Sequence, residues 1–268
     1  MIRTRHPIVV AVASTASFIG MQMFSSLHSG QNLGFSSPAI ASYAFQGTSG
    51  FQYVPPVGAN PRRSRGSGSR GCDQSLPVTV TLLIPSTHIG DTTSSHPTFS
   101  WHLSNNVSVP IKFALVELGV VEPLYVQEIA SPKAGITEVE IPEDRPELVP
   151  GHQYRWSVSL VCNHNRPSAN PYFYSWIKRV PTPPALSEKL AATNNPATTL
   201  DKAASSKRLR DRAQIYAQAG QWYDALAALT AAKTANPNDP AIREDFFTLL
   251  SQGGLTNVVT QERRRTAQ

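Results

Sequence analysis

Glu138 and Glu140 stand two residues apart in the run Ile136 to Ile141, where polar and apolar residues alternate. On a strand that spacing puts both carboxylates on one face. Paired carboxylates can divide general-acid and general-base work, as in glycoside hydrolysis. Two solvated side chains on an outer sheet face is the simpler expectation. Histidines are the other candidates: His88, His96 and His102 lie in or before the early strands, and Cys162-Asn163-His164 closes a later one. Zinc needs three or four such ligands to converge with support behind them, and these spacings match no ligand template. His102 alternates with Trp101, so it is expected to face solvent. Glu143-Asp144-Arg145 sits between Pro142 and Pro146, in a wet turn. The chain has no G-x-S-x-G, H-E-x-x-H or P-loop pattern, and so lacks those local signatures for nucleophile, zinc or phosphate chemistry. No catalytic residue, cofactor or metal ligand is assigned.

The elements that must carry these side chains are short and alternating. Leu76, Val78, Val80, Leu82 and Ile84 share one parity and stop at Pro85; Phe99, Trp101 and Leu103 follow His96-Pro97. Further runs cover 111–118, 124–129, 136–141, 154–162 and 172–180. Seven β runs at regular spacing predict an antiparallel sandwich over residues 72–180, immunoglobulin-like or fibronectin type III-like. Leu148-Val149-Pro150-Gly151-His152-Gln153-Tyr154 resembles a tyrosine corner, in which the hydroxyl bonds back to upstream backbone. Pro97-Thr98-Phe99-Ser100-Trp101 resembles the second strand of fibronectin type III domains. Trp101, Tyr154 and Trp156 are accordingly expected in the core. The polar loop carrying Asn163, His164 and Arg166 is a candidate contact surface, together with His88–Ser95 and the Glu143–Pro150 turn.

Around that centre the composition loosens. Apolar residues make up 40% of the 268, charged residues 16%, and there are 22 prolines. Residues 1–41 read as a signal peptide or anchor: Arg3, Arg5 and His6 precede the mostly apolar run Ile8 to Phe24, and Ala39-Ile40-Ala41 fits a cleavage site. Residues 42–71 read as a disordered linker rich in Gly, Ser and Arg. The net charge of +6 arises outside 72–180, where ten acidic side chains outnumber seven basic ones. Basic tails favour weak contact with anionic surfaces. The Arg/Gly/Ser run could bind RNA, but with no stacking platform beside it a solvated tether is the expectation. Residues 181–200 read as a Pro-rich linker, 201–255 as a helical tail and 256–268 as a disordered basic C-terminus. Leu209, Ala213, Tyr216, Ala225, Leu229, Ala232 and Pro237 fall at tetratricopeptide offsets, giving one repeat and one further helix. A lone repeat cannot bury its own apolar face, so packing back onto the sandwich is favoured over docking on a partner.

Cys72 and Cys162 bracket the central segment. In an oxidising compartment they could form one disulfide, worth about 4–5 kcal/mol in the chain-entropy model; two buried free thiols are the alternative.

The order of parts, with Cys72, Cys162, Trp176-Ile177 and the run from Tyr216 to Leu226, resembles a cyanobacterial family of exported proteins described as a domain of unknown function, number nine hundred and twenty-eight. The resemblance spans roughly residues 70–255 and implies domain order and export, without an activity. The expectation is an exported, non-catalytic module of the periplasm or cell envelope that presents its sandwich and helices to a protein or glycan partner, not to nucleic acid. A membrane-anchored structural or sensor element and an envelope-polymer hydrolase are the alternatives.

Overall fold

The alternation along the middle of the chain is resolved into two sheets that share one core. The computed structural model describes residues 50–58, 65–66, 78–194 and 201–266. The leader expected over 1–41 lies outside these residues. One sheet has the order β2-β4-β7, formed by Val80–Leu82, Thr98–Leu103 and Gly135–Glu140, all antiparallel. The other runs β9-β8-β5-β6, formed by Tyr172–Arg179, Gln153–Leu160, Ile111–Glu117 and Tyr125–Ile129. The two-residue β1 (Arg65–Gly66) and β3 (Gly90–Thr92) both pair along β9, β3 in parallel. All described residues belong to one unit, Gly47–Gln268.

Each of the seven expected runs holds a strand, but the chain is a mixed α and β fold with nine strands among the described residues. One strand pair is parallel, so the expected purely antiparallel seven-stranded arrangement needs correction. Inward residues of the two sheets interlock, with Phe99 5.2 Å from Phe113 and 5.1 Å from Trp156 between ring centroids. The Tyr154 hydroxyl accepts from Val149 N at 2.7 Å, the corner geometry its setting predicts.

On β4 both parities are buried, because helices cover the outer face of the three-stranded sheet. Five α-helices follow the last strand: α1 (Pro184–Ala192), α2 (Lys202–Gln218), α3 (Trp222–Ala235), α4 (Pro240–Gln252) and α5 (Thr256–Thr266). Asp201 and Asp239 cap α2 and α4 by accepting from backbone N–H groups. Gly220, at φ +77°, ends the α2 side of the α2–α3 turn. Gly253 must be small: a Cβ there would sit 2.2 Å from the Trp222 ring.

Three boundary expectations are corrected. Within the supposed disordered linker, Phe51 and Tyr53 are buried, and Val54 N donates to Ala217 O. Two aromatics close together suffice to anchor a short strap, although the surrounding composition is polar. Within the supposed Pro-rich linker, Pro184 opens α1, whose Leu186 and Leu190 are buried; proline is at home in a first helical turn. Within the supposed disordered C-terminus lies α5, held by Val258, Val259 and the charged Glu262.

Candidate functional site

The start of α3 enters the gap between the sheets. Trp222 is fully buried and its indole N–H donates to Leu83 O at 2.9 Å. Tyr223 packs on Phe99 at 5.7 Å; its hydroxyl accepts from Trp156 Nε1 at 2.8 Å and donates to Trp176 O at 3.1 Å. A Cβ on Gly90 would lie 2.7 Å from the Tyr223 ring, so β3 supplies a glycine where that ring enters. Asp224 accepts from Thr93 N at 2.7 Å and from Thr92 Oγ1 at 3.0 Å. Burial pushes its carboxyl up to about 6, with the bonds from Thr93, Thr92 and Ser94 limiting the rise. The docked helix therefore fixes the loop that precedes β4.

Where this loop and the outer sheet face meet α2 and α3, two adjoining clefts form. One, of about 600 Å³, is lined by Thr93 to Thr98, Glu140, Arg179, Arg212, Tyr216 and the helix residues Ala227 and Ala231. The other, of about 530 Å³, carries Glu138, Thr230, Thr234 and Ala235 and shares Thr98, Glu140, Ala227 and Ala231 with the first. The shared residues make one groove, with β7 as one wall and α3 as the other. Both volumes fall in the range of about 300–1,000 Å³ typical of ligand sites. Arg179 is held at the rim by Leu148 O and by Glu147 at 3.5 Å. His96 Nε2 lies 3.0 Å from Arg145 O, which joins the 141–151 loop to the groove's end.

Trp101, Tyr154 and Trp156 are fully buried. Glu138 and Glu140 share a face and are exposed. That face is the groove wall, with Ser100 Oγ donating to Glu138 Oε1 at 3.2 Å. His102 is 3% exposed, and the expectation that it faces solvent is corrected: Glu262 of α5 lies 3.3 Å from its Nε2. Burial opposes ionisation of Glu262, but His102 and Arg265 hold its carboxyl down at about 2. The alternation that sends His102 away from the core sends it into a second interface that a single strand cannot announce.

Of the three loop segments expected to form one contact surface, two come together and the third lies elsewhere. Leu148 N donates to Ser95 O, which unites 93–98 with the turn after β7. Asn163, His164 and Arg166 follow the far end of β8, beside Pro110 and Pro171. Asn163 Oδ1 there accepts from Asn165 N and Arg166 N, so the loop is organised by its own side chains. His88 is buried and 2.6 Å from the Tyr53 hydroxyl. No free cysteine occurs among the described residues; Cys72 lies outside them. No group of three His, Cys, Asp or Glu side chains able to hold a metal occurs among the described residues, and no described helix is long and apolar enough to cross a membrane.

The family described as Domain of Unknown Function (DUF928) matches residues 65–263. The chain belongs to this family. The matched range takes in both sheets, the groove and most of α5, so the DUF928 region is the combined sheet-and-helix unit. No curated protein matches the chain. Among solved structures, a multi-domain immunophilin from Arabidopsis thaliana is similar at 9% identity and a TM-score of 0.24, covering 78% of this chain and 100% of that one.

Sequence reasoning missed the groove. Its wall residues Ala227, Ala231, Thr234 and Ala235 fall between the positions that match the tetratricopeptide offsets and carry no signal of their own. The signal that could have found it is the run Trp222-Tyr223-Asp224: two large aromatics and an acid opening a helix that had no partner of its own.

Proposed function

We propose that this DUF928 protein is an exported, non-catalytic interaction module of the cell envelope, and that the groove between β7 and α3 is its contact surface. The observation that carries this reading is the continuous groove at the seam of sheets and helices. Concave sites at such seams are where ligands are usually held. The strand orders β2-β4-β7 and β9-β8-β5-β6, with the Tyr154 corner, support an immunoglobulin-like or fibronectin type III-like sandwich. The α2–α3 hairpin supports a single tetratricopeptide-like unit that uses the sandwich as its neighbour. Export fits the leader-like start, and a Cys72–Cys162 bond fits an oxidising compartment. The carboxylates Glu138 and Glu140 serve recognition in this reading, and the partner is a protein or a glycan.

A photocrosslinking side chain at the exposed groove position Ala231 tests the proposal in cells, with one at exposed Lys133 as the control. A discrete envelope adduct from position 231 and none from 133 is the expected outcome. Equal labelling from both positions, or none from 231, refutes the groove. Non-reducing mass mapping of the recovered protein reads the leader and the cysteine pairing in the same sample.

A further inference from the structure

Charge in the groove is sorted by position. At one end, Glu138 and Glu140 stand exposed on alternate residues of β7, and neither has an ion-pair partner among the described residues. Lys233 stands on the last turn of α3. It is half-buried, which lowers the pKa of its ammonium, while the charges of Glu262 and Glu138 oppose that lowering. At the other end stands Arg212, which makes no carboxylate contact among the described residues. Its Nη2 is 3.3 Å from the Tyr216 hydroxyl, its Nη1 is 3.5 Å from Asn194 Oδ1, and its guanidinium lies 5.8 Å from the centre of the Tyr216 ring. Between these ends the lining includes Ala227, Ala231 and the hydroxyls of Thr93, Ser94, Ser95 and Thr98; of the other charged groups there, Arg179 is held by Glu147 and Leu148 O, and Asp224 by Thr92 and Thr93.

We infer that the groove binds the carboxyl-terminal stretch of an extended polypeptide with cationic side chains at alternate positions. This rests on the groove being the contact surface, as proposed above. Alternate residues on β7 repeat every ~6.6 Å, and so do alternate side chains of an extended ligand, so two cations can meet two carboxylates in register. The α3 wall from Ala227 to Ala235 spans about 12 Å, enough for about four extended residues. Its small side chains leave room for a backbone. Arg212, across the cleft that Glu140 also lines, offers a guanidinium fork to the terminal carboxylate. A neutral glycan needs an open aromatic face, and Arg212 already lies over the Tyr216 ring. Polyanions meet the carboxylate pair first and are repelled.

Fluorescence anisotropy on the intact protein, with a labelled Lys-Ala-Lys-Ala peptide bearing a free carboxylate, tests this. The double variant E138Q/E140Q, at two exposed positions, should weaken binding about tenfold while leaving the thermal midpoint unchanged. Arg212→Gln should reduce affinity for the free acid to that for the C-terminal amide. Equal binding of acid and amide by the native protein, or of a Glu-Ala-Glu-Ala peptide, overturns the assignment. If a neutral tetrasaccharide binds in place of the peptide and the position 231 adduct still forms, the peptide assignment falls and the interaction module stands. If no probe binds and no adduct forms, both fall.

Discussion

Asp224 is the group through which proton concentration should act on the joint between sheets and helices. Its carboxyl is raised from 3.8 to about 6 because burial penalises the charge. The native state therefore holds its proton at pH values where the unfolded chain has lost it. Stability rises as pH falls through 6 and levels off below the unfolded value. Two-state linkage with those two values gives a gain of about 2 kcal/mol between pH 7 and pH 4.5. For a unit of this size that corresponds to about 4–8 °C in midpoint. Asp224→Asn removes the titration and keeps the shape: the amide oxygen can accept from Thr93 N and the amide nitrogen can face the Thr92 hydroxyl. Thermal unfolding of native protein and variant at pH 4.5, 5.5, 6.5 and 7.5 isolates the group, because other titrations cancel in the difference. The expected result is a native-minus-variant difference that grows by about 2 kcal/mol towards acid. Parallel curves for the two proteins would show that Asp224 does not titrate between the two states as argued.

Tyr223→Phe strips both partners from one hydroxyl, leaving the Trp156 indole N–H and the Trp176 carbonyl unmatched; a loss of about 2–4 kcal/mol in urea unfolding is expected. Tyr53→Ala should cost about 3 kcal/mol, because the ring stacks 5.8 Å from His88 and meets Trp222 edge-on at 5.1 Å; unchanged stability would mean the strap does not hold. Glu262→Gln should cost about 2–3 kcal/mol at pH 7, by leaving His102 and Arg265 without their shared carboxylate. Its depressed carboxyl contributes stability that is present above the unfolded value of 4.5 and lost as pH falls towards 2. The native-minus-variant difference at this site should therefore shrink below pH 4.5.

The strands were legible because alternation with period two is a local property: Phe99, Trp101 and Leu103 announce their burial within one run. The corner at Tyr154 was legible for the same reason, since a fixed-φ proline, a glycine and a tyrosine lie within a few residues. What escaped was whatever depends on a second layer. Ser100 and His102 look like an outer face until α3 and α5 cover them. Phe51 and Tyr53 look like isolated aromatics in a polar stretch until they meet Trp222, His88 and Gln252. The groove escaped entirely, because its two walls are about 90 residues apart in sequence and are brought together only by docking.

The same docking decides how the unit should come apart. Trp222 and Tyr223 are not additions to a finished sheet pair; their rings complete the aromatic core that begins with Phe99 and Trp156. Without them the Trp156 N–H loses its acceptor, and without the sheets α3 exposes two large aromatics that a lone helical hairpin cannot cover. Neither half has a closed core, so one should not outlast the other. The groove inherits this dependence, since one wall belongs to each half. Any partner that bridges β7 and α3 therefore also clamps the joint, and its binding must raise the stability of the whole unit by mass action.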